Sequence, residues 1–206
     1  MIEAGLWRAT KKRDVTHPPR PRRPRLGELV QIDGSPHDWL EGRGPRCTLI
    51  AFIDDATSRV MAACFTCAET SQGYLDGIRA YVLAYGCPVA LYSDRHGIFT
   101  KHDPEDGEPT QFQRAANSLG IATIQALTPQ AKGRVERLFQ TLQDRLVKAM
   151  RLAGVTSIDA ANTFLQTYLP RHNDRFAVTA ADNRDAHVSC PLDDTTLARN
   201  CVVVQT

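Results

Sequence analysis

Three carboxylates, Asp33, Asp94 and Glu136, stand at the ends of predicted elements. Asp33 and Asp94 each close a short strand-like run, and Glu136 falls in the first turns of a predicted helix. Carboxylate oxygens from separate elements can converge on Mg²⁺ or Mn²⁺. Two such ions about 3.5 to 4 Å apart can activate an attacking oxygen and stabilise a leaving one. The pattern predicts metal-assisted phosphoryl chemistry on nucleic acid.

The segment that carries Glu136 reads Thr-Pro-Gln-Ala-Lys-Gly-Arg-Val-Glu-Arg and ends at Arg137. Its proline and glycine predict a loop, and apolar residues then recur at helical spacing over residues 132–152. These apolar residues are Val135, Leu138, Phe139, Leu142, Leu146, Ala149 and Met150. Taken alone, Glu136 also fits an ion-paired acid on a solvated helix face. A catalytic role therefore requires the other two carboxylates to converge on it.

The remaining elements alternate in a way that predicts an α/β fold. Strands are predicted first, then helices and strands in turn, and finally a second consecutive helix. The predicted strands are 26–35, 47–54, 59–67, 88–93 and 121–127, and the predicted helices are 70–85, 110–119, 132–152 and 157–169. Asp54 and Asp55 fall in a hairpin turn, where aspartate needs no catalytic explanation. Residues 101–109 are predicted to form an exposed insertion, and residues 179–206 an irregular tail.

The length of 206 residues fits one domain with short appendages. No apolar run approaches the roughly 18 residues that a membrane helix needs. The basic N-terminus is not followed by the apolar stretch of a secretion signal. We therefore expect a cytoplasmic protein without a membrane partner. Its six cysteines should be reduced. Cys64 and Cys67 have the spacing of a zinc-binding pair, but no second cysteine pair or His cluster accompanies them.

Positive charge is concentrated at the N-terminus. Residues 1–26 carry a net charge of +6, which leaves −4 for the remainder of a chain whose net charge is +2. Closely spaced prolines predict an extended arm over residues 1–25; they are Pro18, Pro19, Pro21 and Pro24. A basic arm on a mildly acidic body is typical of proteins that bind a polyanion, most often nucleic acid. A solubilising tail is the alternative.

Four stretches together resemble the catalytic core of the D, D, E transposases and retroviral integrases, which have a ribonuclease H-like fold. They are Leu29–Asp33, Phe52–Arg59, Tyr92–Asp94 and Pro129–Arg137, in the order found in that family. The resemblance spans about residues 24–178, and the motifs together look like those of a bacterial insertion-sequence transposase. It implies a mixed five-stranded sheet flanked by helices, with the catalytic core at residues 26–178.

The resemblance also implies a function and a set of site residues. Asp33, Asp94 and Glu136 would be catalytic and would hold Mg²⁺ or Mn²⁺, as two ions, for DNA cleavage and strand transfer. The DNA partners would be element ends and target, bound by a homo-oligomer. Residues expected to contact DNA are Arg20, Arg22, Arg23, Arg25, Arg95, His96, Gln130, Lys132, Arg134 and Arg137. Asp144, on the same predicted helix as Glu136, is the next candidate for the third carboxylate.

Two features depart from the family pattern. Arg95-His96-Gly97 follows Asp94 where such proteins commonly have Asn-Gly, and 41 residues separate Asp94 from Glu136, a longer interval than usual. The charged insertion could absorb that length in a surface loop. Family members usually add an N-terminal helix-turn-helix domain and a C-terminal β domain, and this chain has room for neither. We therefore expect a shortened copy, or a reading frame that is cut by a frameshift near Ala186.

Two alternatives to an active transposase remain open at this level. One is a DNA-binding remnant of a transposase without useful catalysis. The other is a magnesium-dependent nuclease on the same fold, which would cut generic substrates without joining them. The fold cannot separate these functions, because function depends on the site.

Overall fold

Five strands form one mixed sheet in the computed structural model, which describes residues 20–100, 108–126 and 132–203. They are β1 (Val30–His37), β2 (Cys47–Asp54), β3 (Val60–Thr66), β4 (Ala90–Ser93) and β5 (Ala122–Gln125). Their order across the sheet is β3-β2-β1-β4-β5. Strands β1 and β3 pair antiparallel with β2, whereas β1, β4 and β5 are parallel. The predicted mixed five-stranded sheet is confirmed.

Helices cover both faces of this sheet. They are α1 (Ser71–Tyr85), α2 (Gln111–Ser118), α3 (Gly133–Leu152), α4 (Ile158–Phe176) and α5 (Asp194–Asn200). Strand β2 is buried throughout, and its side chains alternate between two apolar cores. Ile50 and Phe52 pack with α1, α2 and α5, whereas Leu49 and Ile53 pack with α3 and α4. None of the described helices is long and apolar enough to span a membrane.

The end of α4 and the C-terminal tail differ from the prediction. Helix α4 continues through Pro170 to Phe176, although the sequence predicts its end at Leu169. Buried residues of α4 on both sides of the proline pack against the sheet, and these contacts outweigh the lost backbone donor. The predicted irregular tail contains α5, whose Leu197 is 1% exposed in the same core as α1.

Parts of two predicted segments lie outside the described residues. Residues 1–19 belong to the predicted arm, and residues 101–107 to the predicted insertion. Gln130, a predicted DNA contact, also lies outside the described ranges.

Two asparagines of α4 bind the free edge of β3. The Asn162 side chain accepts a hydrogen bond from the backbone N–H of Phe65 at 2.7 Å and donates to its carbonyl at 3.0 Å. Asn173 pairs in the same way with Val60, at 2.8 and 2.9 Å. The two asparagines are eleven positions apart on the helix, and their strand partners are five positions apart on β3. Both separations correspond to about 16 Å, so the two side-chain amides align with the backbone groups that they bind. The side chains thus occupy backbone groups that an edge strand would otherwise expose.

We predict that Asn173→Ala will lower the free energy of unfolding by about 1 to 3 kcal/mol, because it leaves two buried backbone groups of Val60 without partners. Urea denaturation will measure the change. Gln166→Ala, at an exposed position of the same helix, is the matched control and should have little effect. Equal stability of the two variants would show that the amide does not hold the edge.

Candidate active site

The alternation of β1 directs a row of polar side chains towards α3. Val30 and Ile32 pack in the core on the opposite face. Gln31 accepts a hydrogen bond from the backbone N–H of Val135, the third residue of α3, at 3.3 Å. Asp33 belongs to the same row, since side chains two residues apart share one face of a strand.

Asp33 lies within β1 and not at its end, which corrects the sequence prediction. The strand continues to His37 because it stays paired with β2, with Asp33 opposite Ala51. Its parallel pairing with β4, however, ends at Gln31 opposite Tyr92. Asp33 therefore lies where β1 and β4 separate, and Asp94 follows the last residue of β4. Ligands of α/β proteins commonly bind outside the carboxyl ends of neighbouring parallel strands, where the strand order reverses.

Asp33 and Asp94 converge on one cationic group, the ammonium of Lys132. Its Nζ lies 2.8 Å from Asp33 Oδ1 and 3.3 Å from Asp94 Oδ2. The side chains of Lys132, Asp33 and Asp94 are 8%, 19% and 45% exposed. Burial raises the pKa of Asp33 above its ordinary value, and the nearby Asp94 raises it further, while the Lys132 ammonium opposes both. Lys132, predicted as a phosphate contact, is thus buried against the carboxylates.

Glu136 is exposed in the first turn of α3, four residues after Lys132. Residues four apart share one helix face, so Glu136 lies on the side from which Lys132 reaches the aspartates. Among the described residues, however, no three or more His, Cys, Asp or Glu side chains form a metal-binding cluster. The structure brings Asp33 and Asp94 together and leaves Glu136 outside that pair. Asp144 is exposed and forms an ion pair with Lys148.

Glu69 is a further carboxylate beside β1 that was not predicted from the sequence, and it lies on the face of the strand opposite to Asp33. It accepts a hydrogen bond from the Tyr74 hydroxyl at 2.5 Å. Burial raises the pKa of Tyr74 most, followed by Glu69 and then by Asp33 and Asp94. A Cβ atom on Gly34 would lie 2.7 Å from Glu69 Cδ. The glycine after Asp33 was the signal in the sequence that another group approaches the strand there.

Asp54 and Asp55 have different roles in the turn after β2. The Asp54 carboxylate accepts hydrogen bonds from the backbone and the hydroxyl of Thr57 at 2.8 and 2.7 Å, as predicted for a turn residue. Asp55 is fully buried and binds groups distant in sequence. One of its oxygens accepts from Gln31 Nε2 and Arg134 Nη1, both at 2.9 Å, and also from Arg20.

The Asp55 contacts fix the start of α3 to the sheet. Gln31 bonds both Asp55 and the third residue of α3, and Arg134 is the second residue of that helix. Lys132 and Glu136 flank these anchored positions. Neither Gln31 nor Asp55 is predicted from the sequence as part of the site; a glutamine inside an otherwise aliphatic strand could have indicated one.

Some of the predicted DNA-contact residues bind other groups of the protein, and others have no side-chain partner among the described residues. Arg134 and Arg20 bind Asp55, and burial together with neighbouring arginines lowers the pKa of Arg134. Arg22 donates to backbone carbonyls of the turn, and Arg23 and Arg25 lie beside Glu28. His96 and Arg95 are exposed next to Asp94. Among described residues, neither Arg95 nor Arg137 has a side-chain partner, so these two cations are free for a ligand.

We predict that Asp55→Asn will lower the free energy of unfolding by about 3 kcal/mol, because removing one charge leaves the Arg134 and Arg20 guanidiniums without their counter-charge. The value is at the low end for a buried pair, since Arg20 is 31% exposed. Guanidinium denaturation will measure it. Asp144→Asn removes an equivalent charge from an exposed pair and should leave stability unchanged. Similar denaturation curves for both variants would contradict an anchoring role for Asp55.

Comparison with known proteins gives two close relatives in sequence. Over 190 residues, 91% of this chain, it is 47% identical to “Putative transposase y4bF” of Sinorhizobium fredii. Over 166 residues, 78% of this chain, it is 39% identical to the “Transposase for insertion sequence IS1202” of Streptococcus pneumoniae. The chain belongs to the transposase family of these two relatives. The matches cover 42% and 35% of the relatives, so this transposase chain spans less than half of their length. No protein-family model matches it.

Solved integrase structures share the fold of this transposase core. The HTLV-2 integrase catalytic core domain in complex with magnesium aligns with a TM-score of 0.53 and 19% identity, over 69% of this chain and 85% of that one. The simian T-cell lymphotropic virus intasome, in complex with PP2A regulatory subunit B56 gamma, aligns with a TM-score of 0.62 and 20% identity. That alignment covers 84% of this chain and 58% of the other. The predicted ribonuclease H-like architecture is confirmed.

Proposed function

We propose that this transposase core cleaves DNA at element ends and joins the freed ends to target DNA with the help of divalent metal ions. One observation carries the proposal. Asp33 and Asp94, from neighbouring parallel strands, already converge on a single cation, the Lys132 ammonium. Oxygen ligands of this kind suit Mg²⁺ and Mn²⁺. The donor set therefore fits a metal, and the magnesium complex of the HTLV-2 core supports this assignment.

Asp33 and Asp94 would hold the metal, and Glu136 would complete the set for a second ion. When bound, such ions make an attacking oxygen more nucleophilic and neutralise charge on the leaving oxygen. In the cleavage step a water oxygen bonds to phosphorus as the bond to the 3′ oxygen breaks. In the joining step that 3′ oxygen bonds to a target phosphorus as the bond from this phosphorus to the target strand's own 3′ oxygen breaks, which leaves a 3′ hydroxyl on the target. Lys132 must leave the aspartates before a metal can take its place.

We propose DNA as the partner because polar and cationic residues adjoin the carboxylates in the chain, and the arginines among them have no side-chain partner in the described residues. Arg95 and His96 adjoin Asp94, and Arg137 follows Glu136. Gln130 and the arm remain proposed DNA contacts. We further propose that the chain acts as a homo-oligomer on DNA, since the HTLV-2 core occurs in trimeric and dimeric forms. Its proposed location is the bacterial cytoplasm, on the nucleoid when bound to DNA.

The proposal is tested by incubating the purified protein with a labelled duplex that carries the terminal sequence of the element. We expect a nick at the element end and a joined product with Mg²⁺ or Mn²⁺, and neither with EDTA. Cutting of unrelated duplexes and hybrids without joining would identify a nuclease instead. Binding without cleavage under either metal would identify an inactive remnant. An element-end duplex with a scrambled terminus is the matched substrate control.

A further inference from the structure

A cleft of about 550 Å³ opens between the arm, the turn after β2, the start of α3 and the end of α4. Its volume falls within the range of about 300 to 1,000 Å³ that small-molecule sites occupy. Four guanidinium groups line it, and we call it the arginine cleft; they belong to Arg20, Arg22, Arg134 and Arg137. Among the residues that the structure describes, no aspartate or glutamate belongs to the lining.

The arginine cleft has more positive charge than its surroundings neutralise. Asp55, behind the lining, binds both Arg20 and Arg134. Arg22 donates to two backbone carbonyls and a hydroxyl, which carry no charge. Arg137 has no side-chain partner in the described part of the chain. The four guanidinium groups and the single carboxylate of Asp55 give a net charge of +3, which favours the binding of an anion.

The start of α3 adds to this positive potential. Gly133, the first residue of the helix, lines the cleft, and Lys132 before it provides no side-chain cap. The first N–H groups of a helix and its dipole both favour an anion. The hydroxyls of Ser58 and Thr141 also line the cleft and can donate to oxygen atoms.

The other part of the lining is apolar and aromatic. Leu138 and Ile53 contribute aliphatic surface, and Phe176 lies with its ring centroid 4.8 Å from that of His172. Two guanidinium carbons lie 5.4 Å from the centroid of the Phe176 ring, those of Arg145 and Arg175. His172 is 6% exposed, and its Nδ1 has no hydrogen-bond partner among the described residues. Burial, with a further contribution from Arg145, lowers the pKa of His172, which favours a neutral ring. The cleft thus suits a ligand with an anionic group and a flat apolar group.

We propose that the arginine cleft binds one nucleotide of a DNA strand, with its phosphate at Arg137 and Arg22 and its base against Phe176 and Leu138. Gly133, which lines the cleft, directly follows Lys132, whose ammonium reaches Asp33. We expect a strand in the cleft to continue towards the proposed metal site. The assignment of this nucleotide to a DNA strand rests on the proposed function, since a free nucleotide would make the same contacts.

The phosphate half is tested by fluorescence anisotropy with a labelled oligothymidylate of about ten nucleotides. EDTA is present, so neither metal nor cleavage contributes. Arg137→Ala should weaken binding about tenfold, because a charge-assisted contact is lost. Arg114→Ala removes an exposed arginine of α2 from the opposite face and should change binding by less than about twofold. Equal effects of the two substitutions would overturn the proposal in favour of diffuse charge attraction.

The base half is tested by Phe176→Ala, with folding checked by circular dichroism. It should weaken oligothymidylate binding by about tenfold, as expected for one base contact. The same substitution should have no effect on an oligomer made only of abasic sites, whereas Arg137→Ala should weaken both. An equal effect of Phe176→Ala on both oligomers would overturn the base contact.

Competition distinguishes the two sources of the nucleotide. Displacement of the oligomer by thymidine monophosphate would identify a site that also takes free nucleotides. Failure to displace it, with the Arg137 and Phe176 effects retained, would identify a strand-only site. Displacement by inorganic phosphate as readily as by the nucleotide would overturn the proposal and leave an anion site. Cleavage of element-end DNA with Mg²⁺ is measured separately on the Arg137→Ala and Phe176→Ala proteins, so loss of the proposed chemistry and loss of the cleft are separate readouts.

Discussion

A protein carrying Glu136→Gln should lose DNA cleavage and joining as completely as one carrying Asp33→Asn, by about 10³-fold or more. Each substitution keeps the shape of the side chain and removes a charge expected beside the metal ions. Charge stabilisation by metal contributes several kcal/mol to such reactions, and about 1.4 kcal/mol corresponds to tenfold in rate. DNA binding should persist or rise, because a negative charge near the phosphates has been removed.

The comparison of Glu136→Gln with Asp144→Asn gives this test its control. Both acids are exposed on α3, but Asp144 lies two turns further along and pairs with Lys148. Its substitution should therefore leave turnover unchanged. Near-wild-type turnover of folded Glu136→Gln protein with Mg²⁺ would exclude it as the third carboxylate. Asp144 would then be the next candidate.

The sequence predicts most of the fold because local periodicity and long-range packing agree over most elements. The order of strands and helices and the placement of Asp94 directly after β4 follow from alternation and turn residues. The position of Asp33 within β1 does not. The length of β1 is set by its pairing with β2, an interaction that cannot be read from the strand itself. For a similar reason α4 continues through Pro170, since Asn173 beyond it binds β3.

The site is less predictable than the fold because its contacts join residues far apart in the chain. Asp55 is read correctly as part of a turn, but its buried partners Gln31 and Arg134 lie 24 and 79 positions away. Lys132 is predicted to contact DNA because its position at the helix start does not reveal what lies opposite. Only the assembled sheet shows that its ammonium reaches two aspartates from separate strands.

Lys132→Met should raise the affinity for Mn²⁺ by about tenfold or more in the absence of DNA. The ammonium competes with any metal for Asp33 and Asp94, and removing it leaves two carboxylates close together with no cation between them. Such a pair is destabilising until a cation is bound. The unfolding temperature in EDTA should therefore fall, and Mn²⁺ should restore it further than in the wild-type protein. Calorimetric titration and thermal unfolding measure the two effects.

Lys148→Met is the matched control, since it removes the same group from an exposed pair on the same helix and should change neither quantity. An unchanged Mn²⁺ affinity in Lys132→Met would show that the ammonium does not compete with metal. The same variant also tests the predicted phosphate contact. If metal displaces Lys132 and frees it for DNA, Lys132→Met should weaken DNA binding by a larger factor with Mn²⁺ present than in EDTA. Metal occupancy and DNA binding would then be coupled through one side chain.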